Sequence, residues 1–123
     1  MPRKAVLIAL AAALLAPPTL AFADNLIFKL RSYHKNQVDV AFYSQNRNHS
    51  WPGGGKVWVI KDYDVHNYSL NCVRGEKICY GAWVRGASNS YWGGGKGGRQ
   101  ACQSCCFICN GGETPVINLN ERR

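Results

Sequence analysis

Acidic residues are scarce in this chain: seven Asp and Glu stand against fifteen Lys and Arg, for a formal net charge of +8. The surplus never condenses into a block of five or six like charges, which excludes a basic tail. Helical periodicity is missing too. After residue 24 no segment repeats apolar residues every three or four positions, which excludes a helical core. Catalytic signatures are equally absent. His34, His49 and His66 stand in no HExxH or H-x3-H relation, and no G-x-S-x-G elbow occurs. Neither lysine that closes a glycine-rich loop is followed by Ser or Thr, which excludes a phosphate-binding P-loop. Asp62 and Asp64 would share one face of a strand, but a charged, solvated strand edge accounts for them without an acid pair. The reading leans away from an enzyme and nominates no catalytic residue.

The chain does carry an export signal. Arg3 and Lys4 precede an apolar run over residues 5–16, Pro17 and Pro18 break it, and Ala21-Phe22-Ala23 offers small residues where a signal peptidase reads. Residues 1–23 are therefore expected to be a cleaved signal peptide, with a single domain over residues 24–123. The apolar run is shorter than the roughly 20 residues a spanning helix needs, so no transmembrane segment is expected in the mature form. No cysteine stands at the cleavage point to carry a lipid, and no Arg-Arg pair marks a twin-arginine route. The periplasm or exterior of a bacterial cell is the expected location. Without Arg3 and Lys4, thirteen basic residues remain against seven acidic ones, a surplus of six. In that location the surplus suits anionic envelope lipid or polymer, an acidic glycan or an acidic protein, and not nucleic acid.

The dominant period of the mature chain is two. Leu26, Phe28 and Leu30 alternate within residues 26–33, and Val38, Val40 and Phe42 within 37–43. Residues 57–60, 68–73, 77–84 and 115–119 continue the pattern with β-branched and aromatic residues, and Gly-, Asn- and Pro-rich turns separate the runs. An all-β domain follows, a small antiparallel meander or sandwich.

Six cysteines, Cys72, Cys79, Cys102, Cys105, Cys106 and Cys109, lie in this short exported chain. An even count here reads as a disulfide framework, because a small domain buries too little apolar surface to stand without covalent help. The turn Arg74-Gly75-Glu76-Lys77 suits a two-residue hairpin loop, which would set Cys72 opposite Cys79 and bond them. Neighbouring Cys105 and Cys106 would close a strained eight-membered ring, which argues against a bond between them. The rest of the connectivity stays open. Cys102, Cys105, Cys106 and Cys109 also form two overlapping Cys-x2-Cys pairs, a spacing that can hold zinc if the thiols stay reduced. No cofactor is expected in the disulfide reading, zinc in the other.

Two glycine loops resemble each other: Trp51-Pro-Gly-Gly-Gly-Lys56 and Trp92-Gly-Gly-Gly-Lys96. Trp51 and Trp92 with Lys56 and Lys96 form a candidate binding site, the indoles stacking on sugar faces and the ammonium groups meeting acid groups. The competing arrangement folds both tryptophans back onto a core that needs large side chains.

The segment Gly75-Glu-Lys-Ile-Cys-Tyr-Gly-Ala-Trp83, with Trp51-Pro-Gly53, Tyr91-Trp-Gly93 and the cysteine octapeptide, resembles small exported cysteine-rich bacterial proteins of no assigned function. The resemblance covers residues 42–109. It implies a secreted single domain and carries over no catalytic residue, cofactor or substrate. Three functions fit: an exported, non-enzymatic binding module for anionic glycan or envelope polymer, a metal-binding or thiol-redox protein centred on Cys102 to Cys109, and a secreted toxin-like or host-directed protein. N-terminal sequencing of protein recovered from periplasm or medium is expected to begin at Asp24. Intact Met1 in a membrane fraction would refute the export reading.

Overall fold

A computed structural model describes residues 22–120, so most of the expected signal peptide, residues 1–21, lies outside the described residues. Among the described residues nine strands form two sheets: β1 (Ala23–Ser32), β2 (Val38–Ser44), β3 (Ser50–Trp51), β4 (Trp58–Ile60), β5 (Val65–Val73), β6 (Lys77–Val84), β7 (Ala87–Gly93), β8 (Cys106–Ile108) and β9 (Glu113–Leu119). One sheet runs β5-β1-β9, and the other runs β3-β2-β6-β7 with β4 beside β2 and β8 beside β6. The domain is all-β, as the period of two implies. Pairing is antiparallel except between β1 and β9, which run parallel. Strands β3, β7 and β8 lie outside the runs expected from sequence. Among the described residues no helix is long and apolar enough to cross a membrane.

Alternation within each strand builds the core. Leu26, Phe28 and Leu30 of β1 meet Val38, Val40 and Phe42 of β2, with Leu70 of β5 and Ile78, Ala82 and Val84 of β6 completing the cluster. Phe28 and Phe42 touch across the sheets with ring centroids 4.5 Å apart. Because successive strand residues point to opposite faces, Asp39, Ala41 and Tyr43 of β2 and Cys79, Gly81 and Trp83 of β6 lie on the outer face of the larger sheet.

The turn at Arg74-Gly75-Glu76 is present, with Gly75 at φ +89°, a conformation that glycine adopts without a Cβ penalty. It does not close a hairpin. It carries the chain from β5 in one sheet to β6 in the other, so Cys72 and Cys79 are not partners. Cys72 bonds Cys109, Cys79 bonds Cys106, and Cys102 bonds Cys105. The physical reason is the apolar phase. A two-residue hairpin would put Cys72 and Ile78 on opposite faces of one sheet, yet both are buried in the shared core. The adjacent Cys105 and Cys106 go to different partners. Three disulfides mark an oxidising compartment for the folded domain.

Glu76 fixes this corner. Its residue is 4% exposed, and its carboxylate accepts from Arg47 Nε (2.5 Å) and Nη2 (3.1 Å), Ser44 Oγ (2.5 Å) and the Val73 amide (2.9 Å). Burial pushes its pKa up, but the Arg47, Ser44 and Val73 hydrogen bonds outweigh burial and hold the group at about 2, against an ordinary 4.5. A carboxyl depressed in the folded state stabilises the fold above its unfolded pKa, and that contribution fades as pH falls from 4.5 towards 2. The gap corresponds to about 3 kcal/mol as an upper figure, because Arg47 is partly solvated. Urea unfolding of the oxidised protein is expected to show this loss between neutral pH and pH 2. Glu76→Gln should lose about 2–3 kcal/mol at neutral pH and show a flatter acid limb. Parallel pH profiles for the two proteins would refute the assignment.

Candidate binding groove

The outer face of the larger sheet contains a trough of small residues. Ala41 of β2 pairs with Gly81 of β6, which pairs in turn with Gly93 of β7. The second glycine loop lies down into this trough. A Cβ on Gly81 would strike the Gly95 carbonyl and press on the Tyr43 ring, so only glycine permits this approach. Gly94 N donates to Tyr80 O at 2.8 Å, and Gly97 N to the Tyr43 hydroxyl at 3.1 Å. Burial raises the Tyr43 pKa against the opposing pull of the Gly97 amide, so the phenol stays neutral at physiological pH.

A groove of about 620 Å³ opens beside this loop. Ala41, Tyr43 and Trp83 contribute from the sheet, Lys56 from the first glycine loop, and Lys96, Arg99 and Gln100 from the second loop and the segment after it. Lys96 begins the short 3-10 turn Lys96–Gly98. Among the described residues no carboxylate lines the groove, and Lys56, Lys96 and Arg99 form no salt bridge. Three cations thus share one concavity without internal neutralisation, an arrangement suited to an anion.

The four residues singled out in the sequence divide by type. Lys56 and Lys96 come together at the groove. Trp51 and Trp92 do not: they are 8% and 6% exposed and belong to the core. Each indole N–H is already spent, Trp51 on the carbonyl of Asn71 at 2.9 Å and Trp92 on that of Asn120 at 2.8 Å. The stacking role is therefore corrected: both occupy inward strand positions, where the sandwich uses their area as core. The half-buried Tyr43 and the buried Trp83 supply the groove's aromatic lining instead. Arg99 escaped sequence reasoning although it stands three residues after Lys96, close enough to be grouped with that loop. Trp83 gave no such signal, because nothing in its strand says which face would be roofed.

Other candidates lie elsewhere. Asp62 holds His66 at 2.6 Å and also accepts from the Asp64 amide, a small exposed network outside the groove. The proposed zinc set, Cys102, Cys105, Cys106 and Cys109, does not converge: Cys109 turns into the core to bond Cys72. No family model matches the chain, and no curated protein or solved structure matches it either.

Gly81→Ala should lift the second glycine loop from the sheet. Amide hydrogen exchange at residues 94–98 is expected to accelerate, while amides of β1 and β5 keep their protection. The cost in stability should be about 1–3 kcal/mol, the usual range for overpacking. Unchanged exchange at residues 94–98 would refute the contact.

Proposed function

We propose that this domain is a non-enzymatic binding module of the bacterial periplasm or exterior, with an anionic glycan or envelope polymer as its ligand. The observation that carries the reading is the gathering of Lys56, Lys96 and Arg99 around one groove that, among the described residues, no carboxylate lines. The exported setting is supported by the signal-like N-terminus, by the three disulfides and by the resemblance to small exported cysteine-rich bacterial proteins. The chemistry is recognition by charge and polar groups. Ser50, Ser88, Asn89 and Gln100 add hydroxyls and amides that suit a hydroxyl-rich ligand, while the cations meet its acid groups. Among the described residues nothing in the groove supplies a paired acid and base for turnover.

Binding to polygalacturonate, with neutral dextran as control, tests the reading by calorimetry. Affinity for the acidic polymer should fall steeply as salt rises, because exposed charges are screened beyond about 10 Å at 0.1 M. Single changes Lys56→Ala, Lys96→Ala and Arg99→Ala should each weaken binding about three- to fivefold, matching the modest worth of exposed charges. Equal binding to dextran, or an unaffected triple variant, would refute the proposal.

A further inference from the structure

Four cysteine sulfurs gather apart from the groove lining. Cys79 and Cys106 pair across β6 and β8 and are bonded, while Cys102 and Cys105 are bonded in the segment entering β8. The backbone draws these two bonds together. The amide of Tyr80 donates to the carbonyl of Cys105 at 3.1 Å, which runs Cys105 alongside Cys79. The sulfur of Cys105 lies 3.8 Å from that of Cys106, and the sulfurs of Cys79, Cys105 and Cys106 all lie within 4.8 Å of one another. Three sulfurs from two separate disulfides thus share one site. Access to them is graded: Cys79 and Cys105 are buried, whereas Cys102 and Cys106 are half-buried, Cys102 in the segment before β8. Cys109, fully buried and bonded to Cys72, stands outside the group.

We propose that Cys79, Cys102, Cys105 and Cys106 form a thiol–disulfide exchange unit with two interconvertible pairings, opened by a small external thiol. The thiolate attacks Cys102 Sγ, forms a mixed disulfide there and expels the Cys105 thiolate. Cys105 has one productive target, since attack on its neighbour Cys106 would close the strained eight-membered ring. It attacks Cys79 Sγ instead, forms a Cys79–Cys105 bond and expels the Cys106 thiolate. Cys106 then attacks Cys102 Sγ, closes a Cys102–Cys106 bond and releases the external thiolate. Two disulfides enter and two leave, the thiol is regenerated, and no oxidant or reductant is consumed. The Cys72–Cys109 bond takes no part, so the core stays stapled throughout.

The Cys102→Ser variant tests the central step, because it leaves one thiol on Cys105 in an otherwise oxidised chain. The folded variant is held at pH 8, quenched in acid, denatured, labelled with N-ethylmaleimide and read by tandem mass spectrometry. The label is expected on both Cys105 and Cys106, with Cys106 carrying about one part in ten or more, the ratio that a preference of 1.4 kcal/mol leaves. Label on Cys105 alone would overturn the proposal, and so would label spread onto Cys72 or Cys109, which reports scrambling of an unfolded chain. The Cys106→Ser variant provides a second test. Its free thiol should be Cys102, with Cys79 bonded to Cys105, whereas a free Cys79 beside an intact Cys102–Cys105 bond would overturn the proposal. Finally, the unmodified protein exposed to substoichiometric glutathione should yield both pairings of the four cysteines. A single pairing after that treatment would overturn it too.

Discussion

Burying a carboxylate in a domain of this size costs several kcal/mol unless a cation and hydrogen-bond donors meet it. Glu76 is met by Arg47, Ser44 and Val73 at the point where the chain leaves one sheet for the other. Backbone bonds surround it: Gly75 N donates to Cys109 O, and Cys109 N donates to Glu76 O, both at 2.8 Å. The corner therefore ties β5, β6, the end of β2 and the segment after β8 to one another. Were the chain to turn back within one sheet, Leu70 and Ile78 could not both face the core, and the sandwich would lose one side.

The disulfides reinforce that corner unequally. By loop-closure entropy, the Cys72–Cys109 bond, spanning 37 residues, constrains the unfolded chain by about 4 kcal/mol, whereas Cys102–Cys105, spanning 3, contributes about 2. The long bond also joins the two sheets, since Cys72 lies in β5 and Cys109 follows β8 of the other sheet. Cys79–Cys106 braces two neighbouring strands of one sheet. The two bonds that close long loops, 37 and 27 residues, thus carry most of the entropic stabilisation, and the short outer bond the least.

Alternation made much of this architecture legible. The runs beginning at Leu26, Gln37, Tyr68 and Lys77 all became strands, and their inward residues became the core. What alternation does not reveal is which strands share a sheet. The Gly75-Glu76 turn satisfies a hairpin and a sheet-to-sheet corner equally well, since both need the same positive φ. The phase of Leu70, Cys72, Ile78 and Ala82 held the answer, because an even-numbered apolar line on both sides of that turn is incompatible with a two-residue hairpin. Strand β7 was hidden for another reason: Ala87, Ser88 and Asn89 are small or polar and exposed, so its first half has no apolar rhythm. The tryptophans carried two readings, a stacking surface and core filling, and the structure shows the second. An indole beside three glycines suits a stacking platform, but Trp51 and Trp92 stand on the core lines of their strands, and the core took them.

The groove follows from the same alternation, seen from the other side of the sheet. A strand that points Phe42 inward must point Ala41 and Tyr43 outward, and one that points Ala82 inward must point Gly81 and Trp83 outward. The outer face would be an ordinary solvated surface were its residues large and polar. With alanine and two glycines across three adjacent strands, it is low enough for a backbone loop to settle on it. That loop brings Lys96 and Arg99 over the sheet to the side where Lys56 already stands, so the cationic groove depends on the absence of a single methyl group at Gly81. Charge alone does not make such a site, for thirteen basic residues are scattered through residues 24–123. Close backbone approach makes it, by bringing three of those charges to the wall of one concavity.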